Sequence, residues 1–386
     1  MTTKELFTIF SDSHIGIYNN FAKPVVGSNL NDRSQASIDV VAQVLDLAIK
    51  KKTNVVCVGD LFDKRGSLDI RILNRVQELF KNKVAQLASR CKIYLLAGNH
   101  DQIDNSRIPE NSLTWLAGIN STKATKLQVI SEPQIITLND PKINLVFLPY
   151  SEDVPWLKSE LAKMVTQLKE EPKTLNILFA HIGVDGATDG GLYTHRLGGA
   201  FGVGDLYPDF FDKVFLGHYH NRQGLVDPNQ LPELNKILYV GSTSQKSFAD
   251  EGQLKGADVI SYDTQKKSLR DTFFPIESKQ FKTIDLALPD YKELSKVELD
   301  QLCTEYYVRL ITHDSQEAKQ LQTKLSDSEN NNVAVALKED VKTENRLGLK
   351  ATDTETQIVT QYADKYYPDA KDTALAVLNK VEQTIA

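Results

Sequence analysis

Seven short apolar runs, each four to six residues long, recur through the first 275 or so residues and limit the possible folds. Amphipathic stretches separate the first runs, one with Ile38, Val41 and Leu45 on a single face and another centred on Val76. Apolar residues spaced three and four apart indicate helices that pack on a sheet. The alternation therefore predicts a layered α/β fold. The predicted strands are Leu6–Phe10, Asn54–Val58, Lys92–Ala97, Ile143–Leu148, Asn176–Ala180, Lys213–Leu216 and Ile237–Val240.

A different pattern begins near Ser278. Three β-type runs and one helical stretch predict a small α+β unit of about 60 residues. Its strands are predicted at Phe281–Leu288, Tyr306–Thr312 and Asn332–Leu337, and its helix at Gln316–Leu325. We therefore expect three domains, which are residues 1–277, 278–340 and 341–386.

The last segment is predicted to be helical. Thr352-x-x-Glu355 has the form of a capping box, in which the two side chains bond each other's main-chain N–H groups. Pro368 follows two tyrosines and is expected to end that helix, because proline lacks an N–H donor. A second apolar stripe around Leu378 predicts another helix after it.

Composition limits the cellular locations and the binding partners that we expect for the protein. No apolar stretch is long enough for a membrane helix, and the first ten residues form a strand pattern rather than a signal peptide. The three cysteines (Cys57, Cys91 and Cys303) lack CxxC spacing, so we expect reduced thiols and a cytoplasmic protein. The net charge of −6 mildly disfavours nucleic-acid binding, although carboxylates that hold metal ions would account for part of it.

Five clusters of polar residues follow predicted strands, and they hold five of the seven histidines. In open α/β sheets the carboxyl ends of the strands form the ligand crevice, so clusters distant in sequence can meet there. The clusters are Asp12-Ser13-His14, Gly59-Asp60-Leu61-Phe62-Asp63, Gly98-Asn99-His100-Asp101, His181 and Gly217-His218-Tyr219-His220.

The residue types and spacing of these clusters favour a metal centre. In an extended chain, side chains two residues apart point the same way. Asp12 and His14 can therefore present their side chains to one site, as can His218 and His220. A preceding glycine allows the main chain to approach an ion closely. Carboxylates and imidazoles without thiolates suit Mn²⁺, Fe²⁺ or Zn²⁺. Each cluster alone could be a turn, and His181 alone a satisfied buried histidine, but the ordered set favours two ions that share a ligand.

In this order the clusters resemble the DxH, GDxxD, GNHD, lone His and GHxH pattern of the calcineurin-like metallophosphoesterases, over about residues 5–260. The resemblance implies a two-sheet sandwich flanked by helices, which holds two divalent ions. Asp60 would bridge the ions, and His100 would be catalytic, with Asp63 to orient it. The implied remaining ligands are Asp12, His14 and His220 for one ion and Asn99, His181 and His218 for the other. Mn²⁺ is the expected metal, with Fe²⁺, Zn²⁺ and Mg²⁺ as alternatives.

Within that superfamily the sequence is similar to the SbcD-type nucleases, which carry Leu-Phe after the bridging aspartate. Tyr239-Val240-Gly241-Ser242, Phe248 and the appended α+β unit also match that branch. The resemblance implies a DNA exonuclease or endonuclease in repair, recombination or replication, whose appended unit caps the site and helps to hold DNA. Its C-terminal helices would dock on an SMC-like ATPase, SbcC.

The same resemblance carries further expectations about assembly and origin. A homodimer contact would fall around Asp69–Val84 and Asn111–Ile119. The polar stretch Asn19–Arg33 and the residues after His181 look like phage-encoded versions, whose location would be the host cytoplasm.

Two basic residues, Arg65 and Arg222, directly flank the ligand clusters and are the candidate DNA contacts. Lys64, Arg196 and Lys246 lie nearby in sequence. Two alternatives to a nuclease stay open at this point. One is a small-substrate phosphatase or cyclic-nucleotide phosphodiesterase on the same core, which leaves the appended residues without a role. The other is a non-catalytic DNA-tethering scaffold, for which His100 and Asp63 would be unnecessary.

Overall fold

The computed structural model describes residues 3–119, 126–170, 174–191, 194–225, 236–289, 295–326, 333–338 and 354–385. The chain divides into two compact units, residues 1–337 and residues 338–386. The strands are β1 (Thr3–Phe10), β2 (Asn54–Cys57), β3 (Ile93–Leu96), β4 (Leu127–Ile130), β5 (Gln134–Asn139), β6 (Lys142–Leu148), β7 (Leu175–His181), β8 (Lys213–Gly217), β9 (Gln223–Leu225), β10 (Ile237–Tyr239), β11 (Gly256–Asp263), β12 (Ser268–Pro275), β13 (Gln280–Asp285), β14 (Tyr306–Thr312) and β15 (Val333–Leu337). The α-helices are α1 (Asp32–Lys51), α2 (Ile70–Gln86), α3 (Val154–Lys169), α4 (Lys296–Glu305), α5 (Ser315–Ser326), α6 (Glu355–Tyr366) and α7 (Lys371–Ile385).

Two six-stranded sheets form the larger part of the first unit. The first has the order β12-β11-β1-β2-β3-β4 and the second the order β5-β6-β7-β8-β10-β9. Strands β1 to β4 run parallel, as do β6, β7, β8 and β10, whereas β5, β9, β11 and β12 pair antiparallel at the sides. This arrangement gives each sheet a parallel centre whose carboxyl ends share one edge.

The central strands are apolar on both faces because each sheet is covered on both sides. In β2, Val55 and Cys57 pack in the layer that contains α1 and α2, whereas Val56 faces the other sheet. The alternation follows from the two-residue period of an extended chain. Between the sheets, Phe179 stacks on Phe147 and Phe215 with ring centroids 5.3 Å and 5.7 Å apart. The predicted two-sheet sandwich with flanking helices is confirmed.

A third sheet, β13-β14-β15, is entirely parallel and belongs to the first unit. Its small core contains Ile284, Val308, Leu310 and Cys303. The α+β unit expected from the sequence is therefore present, although its first strand is Gln280–Asp285 rather than Phe281–Leu288.

The second unit contains α6 and α7, which pack on each other. The capping-box prediction was wrong by two residues, because Thr354 rather than Thr352 caps α6 and its hydroxyl accepts from the Gln357 N–H. The sequence carries two overlapping pairs of this form, and Thr352 lies outside the described residues. The break at Pro368 is confirmed, since α6 ends at Tyr366.

Two expectations from composition, the reduced thiols and the lack of a membrane helix, can be compared with the structure. Cys57, Cys91 and Cys303 are buried free thiols. Among the described ranges, no helix is long and apolar enough to cross a membrane.

Candidate metal centre

All five polar clusters lie at the carboxyl ends of central strands. Asp12 follows β1, Asp60 follows β2 and Asn99 follows β3 in the first sheet. His181 ends β7 and His218 follows β8 in the second sheet, so both sheets contribute to one site. The meeting of distant segments at one edge was predictable from the strand pattern.

Asp12 and His14, both buried, and the partly buried His220 form a group whose potential ligand atoms lie within 4.8 Å of one another. The Nε2 atoms of His14 and His220 are 3.0 Å apart. Asp60 lies in two further groups of the same kind, one with His14 and His100 and one with Asp12 and His181. Asp12, His14 and Asp60 thus each belong to two of the three groups, and the bridging role of Asp60 stays a prediction.

The remaining three predicted ligands meet around the Asn99 side chain. Asn99 Oδ1 lies 3.1 Å from His181 Nε2 and 2.9 Å from His218 Nδ1. His181 Nε2 is 3.3 Å from Asp60 Oδ2, which joins this group to the first. The fold thus brings all seven predicted ligands together, and their metal-binding role stays a prediction.

The His181 ring tests whether these residues fit a metal ion. Its Nδ1 is 2.7 Å from the Val58 carbonyl oxygen, so Nδ1 carries the hydrogen and a neutral ring presents the Nε2 lone pair to the Asp60 carboxylate. Two acceptors can face each other at this distance only with a proton or a cation between them. Burial alone would lower the pKa of His181, but the charge and hydrogen bond of Asp60, the charge of Asp12 and the Val58 carbonyl together outweigh it and raise that pKa to about 9. The donor set therefore fits a divalent ion.

Three other histidine ligands and Asp60 are in the protonation states that metal binding requires. Burial lowers the pKa of His14 and of His220, and it lowers the pKa of His218 to about 4. Burial opposes ionisation of Asp60, yet His181 and His14 hold the pKa of that carboxyl far below its usual range. His14, His218 and His220 are therefore neutral imidazoles, and His181 carries the proton that stands in for a cation beside the ionised Asp60 carboxylate.

The main chain at the ligands adopts a conformation that non-glycine residues rarely use. The φ angles of Asp12, His14, Asp60 and His218 are 50°, 44°, 52° and 100°. Such residues cluster at functional sites, where surrounding contacts hold them in place. Here the Asp12 N–H donates to the Gly59 carbonyl and the His14 N–H to the Asp60 carbonyl, each at 3.0 Å. The turn at Asp12–His14 and the turn at Gly59–Asp60 are therefore held together by main-chain hydrogen bonds.

Two glycines leave room for these close approaches, as the sequence predicted. A Cβ atom on Gly98 would lie 2.2 Å from Asp60 Oδ1, and one on Gly217 would lie 2.1 Å from the Val58 carbonyl oxygen. Both distances are too short for any side chain, so only glycine permits the ligand turns to lie this close.

His100 and Asp63 contact each other through the main chain. His100 Nδ1 lies 2.5 Å from the Asp63 carbonyl oxygen, and the His100 N–H donates to Asp60 Oδ1 at 2.8 Å. The Asp63 carboxylate instead lies 3.8 Å from His14 Nδ1. Asp63 can therefore orient His100, but through its carbonyl group and not through its carboxylate.

The two candidate DNA-binding arginines differ in their surroundings. Arg222 donates to both oxygens of the buried Asp258 carboxylate, at 2.6 Å and 3.2 Å, and its guanidinium lies over the Phe273 ring. This pairing argues for a structural role and against phosphate binding by Arg222. Arg65 is exposed and donates to the Asp104 carbonyl.

Asp101 is a positioning residue to which the sequence assigned no role. Its fully buried carboxylate accepts from the N–H groups of Phe62 at 3.1 Å and Gly98 at 3.0 Å. Burial and the Asp60 charge raise the pKa of Asp101 to about 7. The only sequence signal was its position directly after His100.

A family model described as calcineurin-like phosphoesterase matches residues 6–222, which is more than half of the chain. The chain belongs to this family. A putative phosphoesterase, 078R, from Invertebrate iridescent virus 3 is 27% identical over 210 residues. That match covers 54% of this chain, and the chain spans about half (52%) of the length of that relative.

Two solved structures of low sequence identity are similar to most of the chain. A dimetal phosphatase from Danio rerio is 10% identical, with 71% of this chain and 99% of that chain covered and a TM-score of 0.38. A 5'-nucleotidase precursor from Thermus thermophilus is 12% identical, with 71% of this chain and 54% of that chain covered and a TM-score of 0.35.

Proposed function

We propose that this chain is a two-metal DNA nuclease, the nuclease subunit of an SbcC–SbcD-like complex. The observation that carries the proposal is the meeting of seven carboxylate, amide and imidazole ligands, Asp60 among them, with His100 beside them. Family membership supports hydrolysis of phosphoester bonds, and the finer choice of DNA is our inference from the rest of the chain.

The proposed roles follow from the contacts of the site. When bound, two divalent ions acidify a water molecule and offset the negative charge on phosphate oxygens, and Mn²⁺ is the ion we expect. Asp12, His14 and His220 would hold one ion, Asn99, His181 and His218 the other, and Asp60 both. Because the Nδ1–H of His100 donates to the Asp63 carbonyl, Nε2 is the nitrogen left to gain a proton, and the resulting imidazolium would pass that proton to the departing oxygen.

DNA as the substrate is supported by the third sheet. This sheet is bonded to Gln245 and Glu251, on either side of Lys246, whose amino group donates to the Ser13 carbonyl in the first ligand cluster. A small phosphate ester requires no such neighbour, whereas a long polymer gains contacts from one. Arg65, on the loop after Asp63, is the basic side chain that we propose to contact a phosphate.

An SbcC-like ATPase partner is supported by the surface of α6. Ile358, Tyr362 and Tyr366 recur every four residues on one face, with exposed fractions of 38%, 48% and 45%. An apolar helical face of this kind suits docking on a coiled coil. The proposed homodimer would use α2, whose first residue Ile70 is 71% exposed.

The deciding experiment is cleavage of end-labelled duplex and hairpin DNA with Mn²⁺, beside p-nitrophenyl phosphate and cyclic nucleotides. We expect the wild type to cleave DNA and Asp60→Asn to lose cleavage, because the shared ligand becomes a neutral amide. Asp39→Asn is the matched control, since Asp39 is exposed on α1 and should keep full activity.

The other outcomes identify the alternatives. Turnover of the small esters alone would leave a phosphatase or cyclic-nucleotide phosphodiesterase and withdraw both DNA and the ATPase. DNA binding without any hydrolysis, unaffected by Asp60→Asn, would identify a scaffold.

A further inference from the structure

Residues 244–255 lie between the metal centre and the third sheet, and we call them the bridging segment. Two of its residues, Lys246 and Lys255, are half-buried and buried lysines whose amino groups contact the main chain of the ligand clusters. Neither lysine is a metal ligand. Their role therefore follows from the groups to which their amino groups donate hydrogen bonds.

Lys246 holds the turn that carries Asp12 and His14. Its Nζ donates to the carbonyl oxygen of Ser13, the residue between them, at 2.5 Å, and to Ser244 Oγ at 3.0 Å. Because Asp12 and His14 both have positive φ angles, this turn depends on surrounding bonds to keep its shape.

Lys255 holds the third ligand of the same group. Its Nζ donates to the His220 carbonyl oxygen at 2.7 Å and to Asp250 Oδ1 at 2.9 Å. The side chain is almost fully buried, so its charge is satisfied by Asp250. Both lysines thus bond main-chain carbonyls beside ligands of the same predicted ion site. At the other predicted site, the His181 ring bonds the Val58 carbonyl instead.

The opposite side of the bridging segment is bonded to the third sheet. The Phe281 N–H donates to Gln245 Oε1 at 2.7 Å, and the Thr283 N–H and hydroxyl donate to the Glu251 carboxylate at 2.6 Å and 2.5 Å. The Phe248 ring lies 4.8 Å from the Phe281 ring.

Arg33 adds a second connection between the sheet and Lys246. Its Nη2 donates to the Lys246 carbonyl at 2.8 Å. Its guanidinium lies over the rings of Phe281 and Tyr307, 5.3 Å and 5.2 Å from their centroids. A displacement of the third sheet would therefore act on the residue that holds the Asp12–His14 turn.

We propose that Lys246 and Lys255 are positioning residues for the ion held by Asp12, His14 and His220, and that the third sheet sets the affinity of this site through the bridging segment. The inference rests on the two-ion centre proposed above and not on the substrate. Groups that orient metal ligands typically contribute about 10- to 100-fold to metal affinity.

The test is calorimetric Mn²⁺ binding to the metal-free full-length chain, fitted to two sites. We expect Lys246→Met to weaken one site by about 10- to 100-fold and leave the other unchanged. Lys246→Arg should restore binding, because a guanidinium can also donate to the Ser13 carbonyl. The control is Lys126→Met, since Lys126 bonds the carbonyls of Val84 and Leu87 far from the motifs in sequence.

Variants outside the bridging segment test the connection and leave both lysine side chains in place. Arg33→Met and Thr283→Val should weaken the same site by about 2- to 30-fold, the range of coupling through packed contacts. If Lys255→Met fails to fold, Lys246→Met and Arg33→Met still decide the matter.

Equal weakening of both sites, or unchanged binding in Lys246→Met, would overturn the proposal. A wild type that binds a single ion would overturn the two-ion centre, and this inference with it. Because no DNA is present, failure of the nuclease proposal gives neither result.

Discussion

His100 is the residue whose removal should separate metal binding from chemistry. Its Nδ1 is bonded to the Asp63 carbonyl, and its ring meets the His14 ring edge to face with centroids 4.6 Å apart. We expect His100→Ala to keep both ions and to lose about 10²- to 10⁴-fold in hydrolysis, the usual contribution of a positioned proton donor. Initial rates on bis(p-nitrophenyl) phosphate and Mn²⁺ stoichiometry would measure the two effects separately.

Asp63→Asn is the matched comparison for that prediction. Since the bond to His100 comes from the Asp63 carbonyl, an amide side chain leaves it intact, and we expect a much smaller loss than in His100→Ala. Equal losses would show that the Asp63 carboxylate acts on His100. Loss of an ion in His100→Ala would remove the proton-donor role and make His100 a ligand.

The sequence predicted the site residues because metal chemistry restricts their types, but it could not predict how they are held. The positive φ angle of Asp12 depends on the Gly59 carbonyl, which lies on another strand end. Asp101 was missed for the same reason. Its carboxylate accepts from the Phe62 N–H, 39 residues away, and no local pattern records that contact.

At the scale of elements, the strand ends pack so closely around Gly217 that a side chain there would clash. A Cβ atom there would lie 2.1 Å from the Val58 carbonyl oxygen, 2.3 Å from Ser11 Oγ and 2.7 Å from His181 Nδ1. We expect Gly217→Ala to lower the free energy of unfolding by about 1–3 kcal/mol, as overpacking does, and to weaken Mn²⁺ binding. Urea unfolding and metal titration would measure both.

Gly204→Ala is the control for this substitution, because a Cβ on Gly204 meets nothing within 4 Å. Its unfolding midpoint should match that of the wild type. If Gly217→Ala unfolds at the same midpoint and keeps full metal affinity, the strand ends are not packed as tightly as these distances require.

The elements that the sequence predicted best are the buried parallel strands, since cover on both faces makes them continuous apolar runs. The edge strands were missed because only part of each is buried. In β12, exposed and partly buried residues alternate from Ser268 to Phe273, and no apolar run results there. Helix α3 was also missed, although Leu157, Leu161 and Leu168 lie on its buried face.

At the scale of the whole molecule, all seven predicted ligands lie in residues 1–337, and residues 338–386 form a unit of their own. We expect a chain that ends at Leu337 to keep Mn²⁺ binding and DNA cleavage while it loses binding to the coiled coil of an SbcC-type ATPase.

In the full chain, Tyr362→Glu with Tyr366→Glu should weaken that binding at least about 30-fold, because buried tyrosines often contribute about 2 kcal/mol or more at interfaces. Calorimetry with the purified coiled coil would measure it, with Asp39→Asn as the control. A shortened chain that folds but no longer cleaves DNA would give the C-terminal unit a part in catalysis, and unchanged binding by the double variant would place the ATPase contact elsewhere.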